Sequence, residues 1–135
     1  MYLILQQEKP EDFVIATGIT TPVREFVRMA FAEVGIEVEF QGKEEKEKAV
    51  VVACTNPGFQ IAIGKEVVGV DERYYRPTEV ELLIGDPTKS KTQLGWEPKY
   101  TLPMLVQEMV AKDVELFQKE VLLKESGFQV LNQYE

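Results

Sequence analysis

One long amphipathic stretch constrains this chain more than any other feature. After Thr101, apolar residues return every three or four positions over about five helical turns, which predicts one long helix with Thr101 as its N-cap. Such a stripe is typical of hydrophobic core rather than of a cofactor site. Its members are Leu102, Leu105, Val106, Met109, Val110, Val114, Phe117 and Val121.

A shorter helix is predicted just before the long one. Asp86 is a favourable N-cap residue, and Pro87 suits the first helical position because it has no backbone N–H to leave unpaired. Gly95 can adopt the left-handed backbone that ends many helices. We therefore expect a helix that begins at Pro87 and stops near Leu94-Gly95-Trp96.

The remaining pattern mixes short strands with helices and predicts an α/β fold. Thr21 and Pro22 start a helix that Gly35 ends, and residues 2–8 form the last turns of another helix. Alternating or continuous apolar runs predict strands at 13–16, 36–40, 49–53, 67–70 and 82–84. We expect residues 1–135 to form a single small mixed lobe with about three main helices.

Composition excludes several classes of function. The net charge of −8 disfavours a nucleic-acid or anionic-membrane surface, both of which need basic patches. Cys54 is the single cysteine and histidine is absent, so an internal disulfide, a tetrahedral zinc site and a serine–histidine triad are not expected. The cysteine usage fits a reducing compartment, and we expect a cytoplasmic protein without a membrane span.

The four arginines fall in two close pairs, Arg24 with Arg28 and Arg73 with Arg76. Arg76 precedes Pro77 and is therefore biased toward extended backbone, with Glu79 three residues later. An arginine fork matches phosphate oxygens, and a carboxylate accepts hydrogen bonds from sugar hydroxyls. The alternative reading is an ordinary surface ion pair, which contributes almost nothing to stability.

Arg24, in the first turn of the helix that begins at Thr21 and Pro22, can likewise be a ligand-binding residue or an ordinary surface charge. Exposed N–H groups at a helix start, together with an arginine, can hold a ligand oxygen. The alternative is a solvated arginine, unfavourably placed at the positive end of the helix dipole.

Four segments of this sequence point to a known family. They are Pro10-Glu11-Asp12-Phe13-Val14-Ile15-Ala16-Thr17-Gly18, Val23-Arg24-Glu25-Phe26-Val27, Arg73-Tyr74-Tyr75-Arg76-Pro77-Thr78-Glu79-Val80 and Gly85-Asp86-Pro87-Thr88-Lys89. They resemble the GDP-mannose 4,6-dehydratases, a family of the extended short-chain dehydrogenase/reductase superfamily, stand in the family's order and cover most of the chain. The resemblance implies the fold of the family's C-terminal substrate-binding part.

The resemblance also implies an activity for the full-length protein. Family enzymes remove water from GDP-mannose to give GDP-4-keto-6-deoxymannose, a step toward GDP-fucose and other deoxysugars, with NADP taking a hydride and returning it. By carry-over of the Arg-Pro-x-Glu segment, Arg76 binds the diphosphate and Glu79 the ribose hydroxyls. Arg24 is implied for the same ligand region. The implied partners are GDP-mannose, or a related nucleotide sugar, and the dinucleotide-binding lobe.

The family's catalytic and cofactor motifs are not found here. No predicted strand is followed by a Gly-x-Gly-x-x-Gly turn, which would bind the cofactor. No tyrosine has a lysine four residues after it, which is the spacing of the family's catalytic tyrosine–lysine pair. We therefore expect no catalytic, cofactor-binding or metal-binding residue in this chain, an absent N-terminal dinucleotide-binding lobe, and no activity for the chain alone. A non-catalytic interaction or regulatory module that keeps the lobe's fold is the alternative, and a homo-oligomer is left open.

Overall fold

A computed structural model of the protein describes residues 1–76 and 83–130. Within these residues the fold is mixed α/β, as predicted, with three main helices, a one-turn helix at the start and one antiparallel sheet. The helices are α1 (Tyr2–Leu5), α2 (Val23–Glu33), α3 (Thr88–Leu94) and α4 (Leu102–Glu125), and the strands are β1 (Ile36–Gln41), β2 (Lys48–Cys54) and β3 (Glu66–Gly69). No helix in this part of the chain has the length and apolar character to cross a membrane.

The sheet has the order β1-β2-β3, and both strand pairs are antiparallel. Its register pairs Ile36 with Cys54 and Gln41 with Lys48 at the two ends of β1. The alternation predicted for 36–40 is confirmed, because Ile36 and Val38 are buried while Glu37 and Glu39 face solvent. Successive side chains of a strand point to opposite faces of the sheet, so alternating apolar and polar residues give the strand one buried and one exposed face.

The hydrophobic core lies between α2 and one face of this sheet. Its fully buried members come from β1 and β2: Ile36, Val38, Ala49 and Val51. Val27, Phe31 and Val34 cover them from the side of α2. These three residues are spaced three or four positions apart, so they lie on one face of the helical segment, which packs against the sheet.

The start of α4 and the end of α3 follow the local signals, whereas α2 and α3 each begin one residue later than predicted, at Val23 and Thr88. The Thr101 side chain accepts a hydrogen bond from the Met104 N–H (3.4 Å), as expected of the N-cap of α4. Gly95 ends α3 with a left-handed backbone (φ 61°), and the Trp96 N–H closes the turn onto the Ser90 carbonyl (3.3 Å). The N-cap position of α3 is Pro87 rather than the predicted Asp86, and the carboxylate of Asp86, the residue before it, accepts the Thr88 N–H (2.9 Å).

The prediction that the stripe of α4 is core was wrong for half of its eight residues, because Leu105, Met109, Phe117 and Val121 are exposed. Val106 is fully buried, but Phe117 and Val121 are each 52% exposed. α4 has 24 residues against 11 in α2, so at about 1.5 Å per residue it is roughly 20 Å longer than α2. α2 is therefore too short to cover the whole apolar face of α4.

The predicted strand at 13–16 was also wrong, because these residues are extended but join no described sheet. The segment packs on α3 instead. The buried Ser90 hydroxyl donates to the Val14 carbonyl, and a Cβ at Gly85 would lie 2.6 Å from the Ala16 Cβ. Glycine is thus the residue that fits this crossing. The strand predicted at 82–84 lies partly outside the described residues, and residues 83–84 are not in a strand.

Candidate functional site

Arg24 lies in the first turn of α2, as predicted, but its side chain is already engaged. Its guanidinium makes a two-point ion pair with Glu47, through Nε to Oε1 and through Nη2 to Oε2 (2.9 Å). The hydrogen bond to Glu47, followed by the attraction of its negative charge, raises the pKa of Arg24 above its ordinary value. The arginine is therefore already paired with a carboxylate at the helix start.

Glu47 connects α2 to the segment that contains the second arginine pair. Its carboxylate holds Arg24, while its backbone carbonyl accepts the N–H of Val70 (3.2 Å), the residue that follows β3. Six residues after Val70 comes Arg76. The two predicted phosphate-binding arginines thus belong to segments that meet at one glutamate.

Sequence reasoning missed Glu47, because it lies in a run of mixed charges that reads as a solvated turn. That run does contain a 3-10 turn, at Glu44–Lys46. The partner of Glu47 is 23 residues away in the chain, so no local spacing rule links the two. A signal available in the sequence was the misfit of an arginine at the positive end of a helix dipole, which calls for a nearby carboxylate.

The segment from Asp71 to Arg76 has its own polar structure. Asp71 receives the Arg73 side chain, with Nη2 and Oδ2 2.6 Å apart, and this hydrogen bond lowers the pKa of Asp71. The Arg73 guanidinium also stands 5.7 Å from the centre of the Tyr74 ring. Arg73 is therefore committed to local contacts.

Tyr75 is half-buried, and its backbone N–H donates to the Glu72 carbonyl (3.4 Å). Partial burial raises the pKa of Tyr75, and the negative charges of Glu44 and Glu45 add to that rise.

Arg76 is exposed, and it makes no hydrogen bond or ion pair with any other residue among 1–76 and 83–130. Its predicted partner in ligand binding, Glu79, lies outside the described residues. The structure therefore pairs Arg24 with Glu47, and the joint role of Arg76 and Glu79 stays a prediction.

The chain returns to the start of α2 after this segment. The Thr20 hydroxyl donates to the Leu83 carbonyl (2.9 Å), and the space beside Gly18 is occupied by the Pro87 ring. Residues on both sides of 77–82 are thus anchored near the beginning of α2, Val70 through Glu47 and Leu83 through Thr20. This end of α2 is the candidate functional site.

A second feature is a groove of about 870 Å³ between α2 and the exposed second half of α4. Its walls are mostly apolar, with Asp113 and Gln118 as the polar exceptions. They are formed by Ala30, Phe31, Val34, Ile36, Phe59, Val110, Asp113, Val114, Phe117, Gln118, Val121 and Leu122. Elsewhere, the described residues offer no cluster of three or more side chains suited to a metal ion.

Comparison with known proteins identifies the family. The sequence model described as GDP-mannose 4,6 dehydratase matches residues 1–109, most of the chain. The chain belongs to the GDP-mannose 4,6-dehydratase family. The predicted resemblance is thereby confirmed.

Curated relatives in bacteria, amoebae and animals agree with this placement. The chain is 49% identical over 130 residues to the GDP-mannose 4,6-dehydratase of Vibrio cholerae serotype O1, a match that covers 96% of this chain and 35% of that protein. It is 52% identical over 115 residues to the Dictyostelium discoideum protein of that name, a match that covers 85% of this chain and 30% of that protein. For the human protein the identity is 48% over 116 residues, covering 86% and 29%. The chain therefore spans about a third of the length of these relatives.

Proposed function

We propose that this chain is the nucleotide-sugar-binding part of a GDP-mannose 4,6-dehydratase. In the complete enzyme it holds GDP-mannose while water is removed to give GDP-4-keto-6-deoxymannose. Arg76 and Arg24 bind the diphosphate, and Glu79 binds the ribose hydroxyls. The observation that carries the proposal is the junction at Glu47, which joins the segments of both arginines at one end of α2.

Charge supports a diphosphate at this position. Arg24 retains unused donors after pairing with Glu47, and Arg76 has an exposed guanidinium. Guanidinium groups bind phosphate through charge-assisted, often two-point hydrogen bonds. The start of α2 adds backbone N–H groups and the positive end of the helix dipole.

NADP does not fit the described residues, and we assign it to the dinucleotide-binding lobe. A dinucleotide needs a parallel strand, a glycine-rich turn and a helix whose N-terminus meets the pyrophosphate. The sheet described here is antiparallel, and the chain has no such turn. When bound in the complete enzyme, NADP accepts and returns the hydride; this chain's own residues bind and orient the sugar nucleotide.

Val121 and Leu122, in the wall of the groove beside α4, are more than half exposed. This exposure is in keeping with a two-lobe arrangement, because exposed apolar surface on a domain often marks an interaction site. We place the complete enzyme in the cytoplasm, in keeping with a single unpaired cysteine. The alternative of a regulatory module has less support, because the relatives described above are all named as dehydratases.

The test uses two proteins, the 135-residue chain and a chimera in which it replaces the segment that it matches in the Vibrio cholerae relative. We expect the chimera to convert GDP-mannose and the chain alone neither to convert it nor to bind NADP. Dehydration by the isolated chain would refute the two-lobe proposal. A folded chimera without activity would refute the assignment of this chain as a working substrate-binding part.

Variants of the chimera test the individual residues. Arg76→Ala should raise the KM for GDP-mannose about tenfold to hundredfold, as expected for a lost charge-assisted contact. Arg76→Lys should recover only part of this, because an ammonium cannot bridge two oxygens in one plane. Glu79→Gln should weaken the ribose contact alone. Lys112→Ala, which breaks an exposed ion pair on α4, is the control and should leave KM unchanged. An unchanged KM for Arg76→Ala would make Arg76 a surface charge.

A further inference from the structure

The Arg24–Glu47 pair uses only one edge of the guanidinium. A guanidinium has a side edge, formed by Nε and one Nη, and an end edge, formed by both Nη atoms. Glu47 occupies the side edge, through Nε and Nη2. Within residues 1–76 and 83–130 nothing accepts a hydrogen bond from Nη1, and the Arg24 side chain is 56% exposed. The end edge is thus open to a pair of oxygens from outside.

Glu47 is itself held firmly. Its side chain is only 16% exposed, its N–H donates to the Glu44 carbonyl (3.1 Å), and its carbonyl accepts the Val70 N–H (3.2 Å). Gly42 allows the tight turn that brings these groups together, since a Cβ at Gly42 would lie 2.3 Å from the Lys46 carbonyl oxygen. The fixed backbone of Glu47 and the partial burial of its side chain limit where the carboxylate can lie, and its two-point contact with Nε and Nη2 then sets the plane of the Arg24 guanidinium.

We propose that Glu47 is a positioning residue, which holds the open edge of Arg24 toward the phosphate oxygens of the nucleotide sugar. The inference rests on the proposed function, in which Arg24 binds that diphosphate. Long side chains lose considerable rotamer freedom when they bind, and a partner that fixes the rotamer beforehand reduces that loss. The negative charge of Glu47 repels the phosphate and so weakens binding, whereas the fixed rotamer of Arg24 strengthens it. Because these two effects have opposite signs, a substitution of Glu47 shows which is larger.

The first experiment measures KM and kcat for GDP-mannose in the chimera. Glu47→Ala should raise KM about tenfold and leave kcat within about twofold, because uniform binding is lost while the chemistry takes place elsewhere. Glu47→Gln keeps one acceptor for Nε and should raise KM less than Glu47→Ala does. An unchanged or lower KM for Glu47→Ala would overturn the proposal, since the carboxylate would then be neutral or repulsive toward the ligand.

The second experiment separates positioning from a merely structural ion pair. The exchange variant Arg24→Glu/Glu47→Arg keeps opposite charges at the two positions but turns a negative charge toward the ligand. We expect it to regain the thermal stability that Glu47→Ala loses while its KM stays high. Recovery of both stability and KM would overturn the proposal. If the exchange variant does not fold, the order of KM values among the parent, Glu47→Gln and Glu47→Ala decides.

The failure of this inference differs from the failure of the proposed function. If Arg76→Ala raises KM while Glu47→Ala does not, the proposed substrate site is supported and the positioning role of Glu47 is refuted. If neither changes KM, the substrate site itself is placed wrongly and the positioning role falls with it. Lys112→Ala serves again as the matched loss of an exposed ion pair.

Discussion

The hydroxyl of Ser90 is the best place to test how α3 is held to the rest of the chain. Ser90 is fully buried, and its Oγ donates to the carbonyl of Val14, 76 residues away. Ser90→Ala removes this donor and leaves the carbonyl without that partner, which costs about 1.5–2 kcal/mol. Alanine is a better helix former and returns about 0.5 kcal/mol. The net loss should therefore be about 1–1.5 kcal/mol.

Urea denaturation of the 135-residue chain can measure this loss directly. Trp96 is the single tryptophan, and its backbone N–H donates a hydrogen bond to the Ser90 carbonyl. Its fluorescence therefore reports on the C-terminal end of α3. With an m-value of about 1.5 kcal/mol per molar urea, the midpoint should fall by roughly 0.7–1 M while the slope stays unchanged.

Thr92→Ala is the matched control for Ser90→Ala. Thr92 lies in the same helix, and its hydroxyl donates to the Thr88 carbonyl (2.9 Å), but the residue is exposed and water can replace the bond. Its midpoint should stay within about 0.3 M of the parent, since exposed substitutions of this kind stay within about 0.5 kcal/mol. Equal shifts for the two variants would show that the long-range bond from Ser90 adds nothing to stability.

Two further predictions concern the fold. Gly42→Ala should lower the urea midpoint much more than Gly64→Ala, because both glycines have φ near 85° but only a Cβ at Gly42 meets backbone, 2.3 Å from the Lys46 carbonyl oxygen. Equal losses would show that backbone strain alone is responsible. The hydrogen bonds from Thr88 lower the pKa of Asp86. The ionised Asp86 carboxylate therefore stabilises the fold at pH values above the ordinary aspartate pKa, and this stabilisation is lost as the pH falls through the lowered pKa. Asp86→Asn should therefore lose less stability than the parent between pH 6 and pH 3, as measured by urea midpoints, and parallel losses would refute the capping role.

The prediction of the site from sequence succeeded in one respect and failed in another. It placed Arg24 at the start of α2, and the helix indeed begins at Val23. It did not find Glu47, whose contact with Arg24 forms only when the β1–β2 turn folds back toward α2. The roles of Arg76 and Glu79 in ligand binding stay predictions, because they derive from the family resemblance.

Helix boundaries were determined by the sequence because their signals are local. Thr101 caps α4 through a residue three positions away, and Gly95 ends α3 through its own backbone angle. The alternation in β1 is equally local, since it follows from the geometry of a single strand. Family membership likewise depended on short segments that keep their order along the chain.

Contacts between distant segments were decided only by the tertiary structure. Residues 13–16 have the composition of a buried strand, yet without a described neighbouring strand they bond to α3 instead. The stripe of α4 marks an apolar face but does not reveal how much of it another element covers: Val106 is fully buried, whereas Leu105 and Val121 are exposed. A side-chain pattern gives the preference of one segment, whereas its partner depends on where the rest of the chain places a complementary surface.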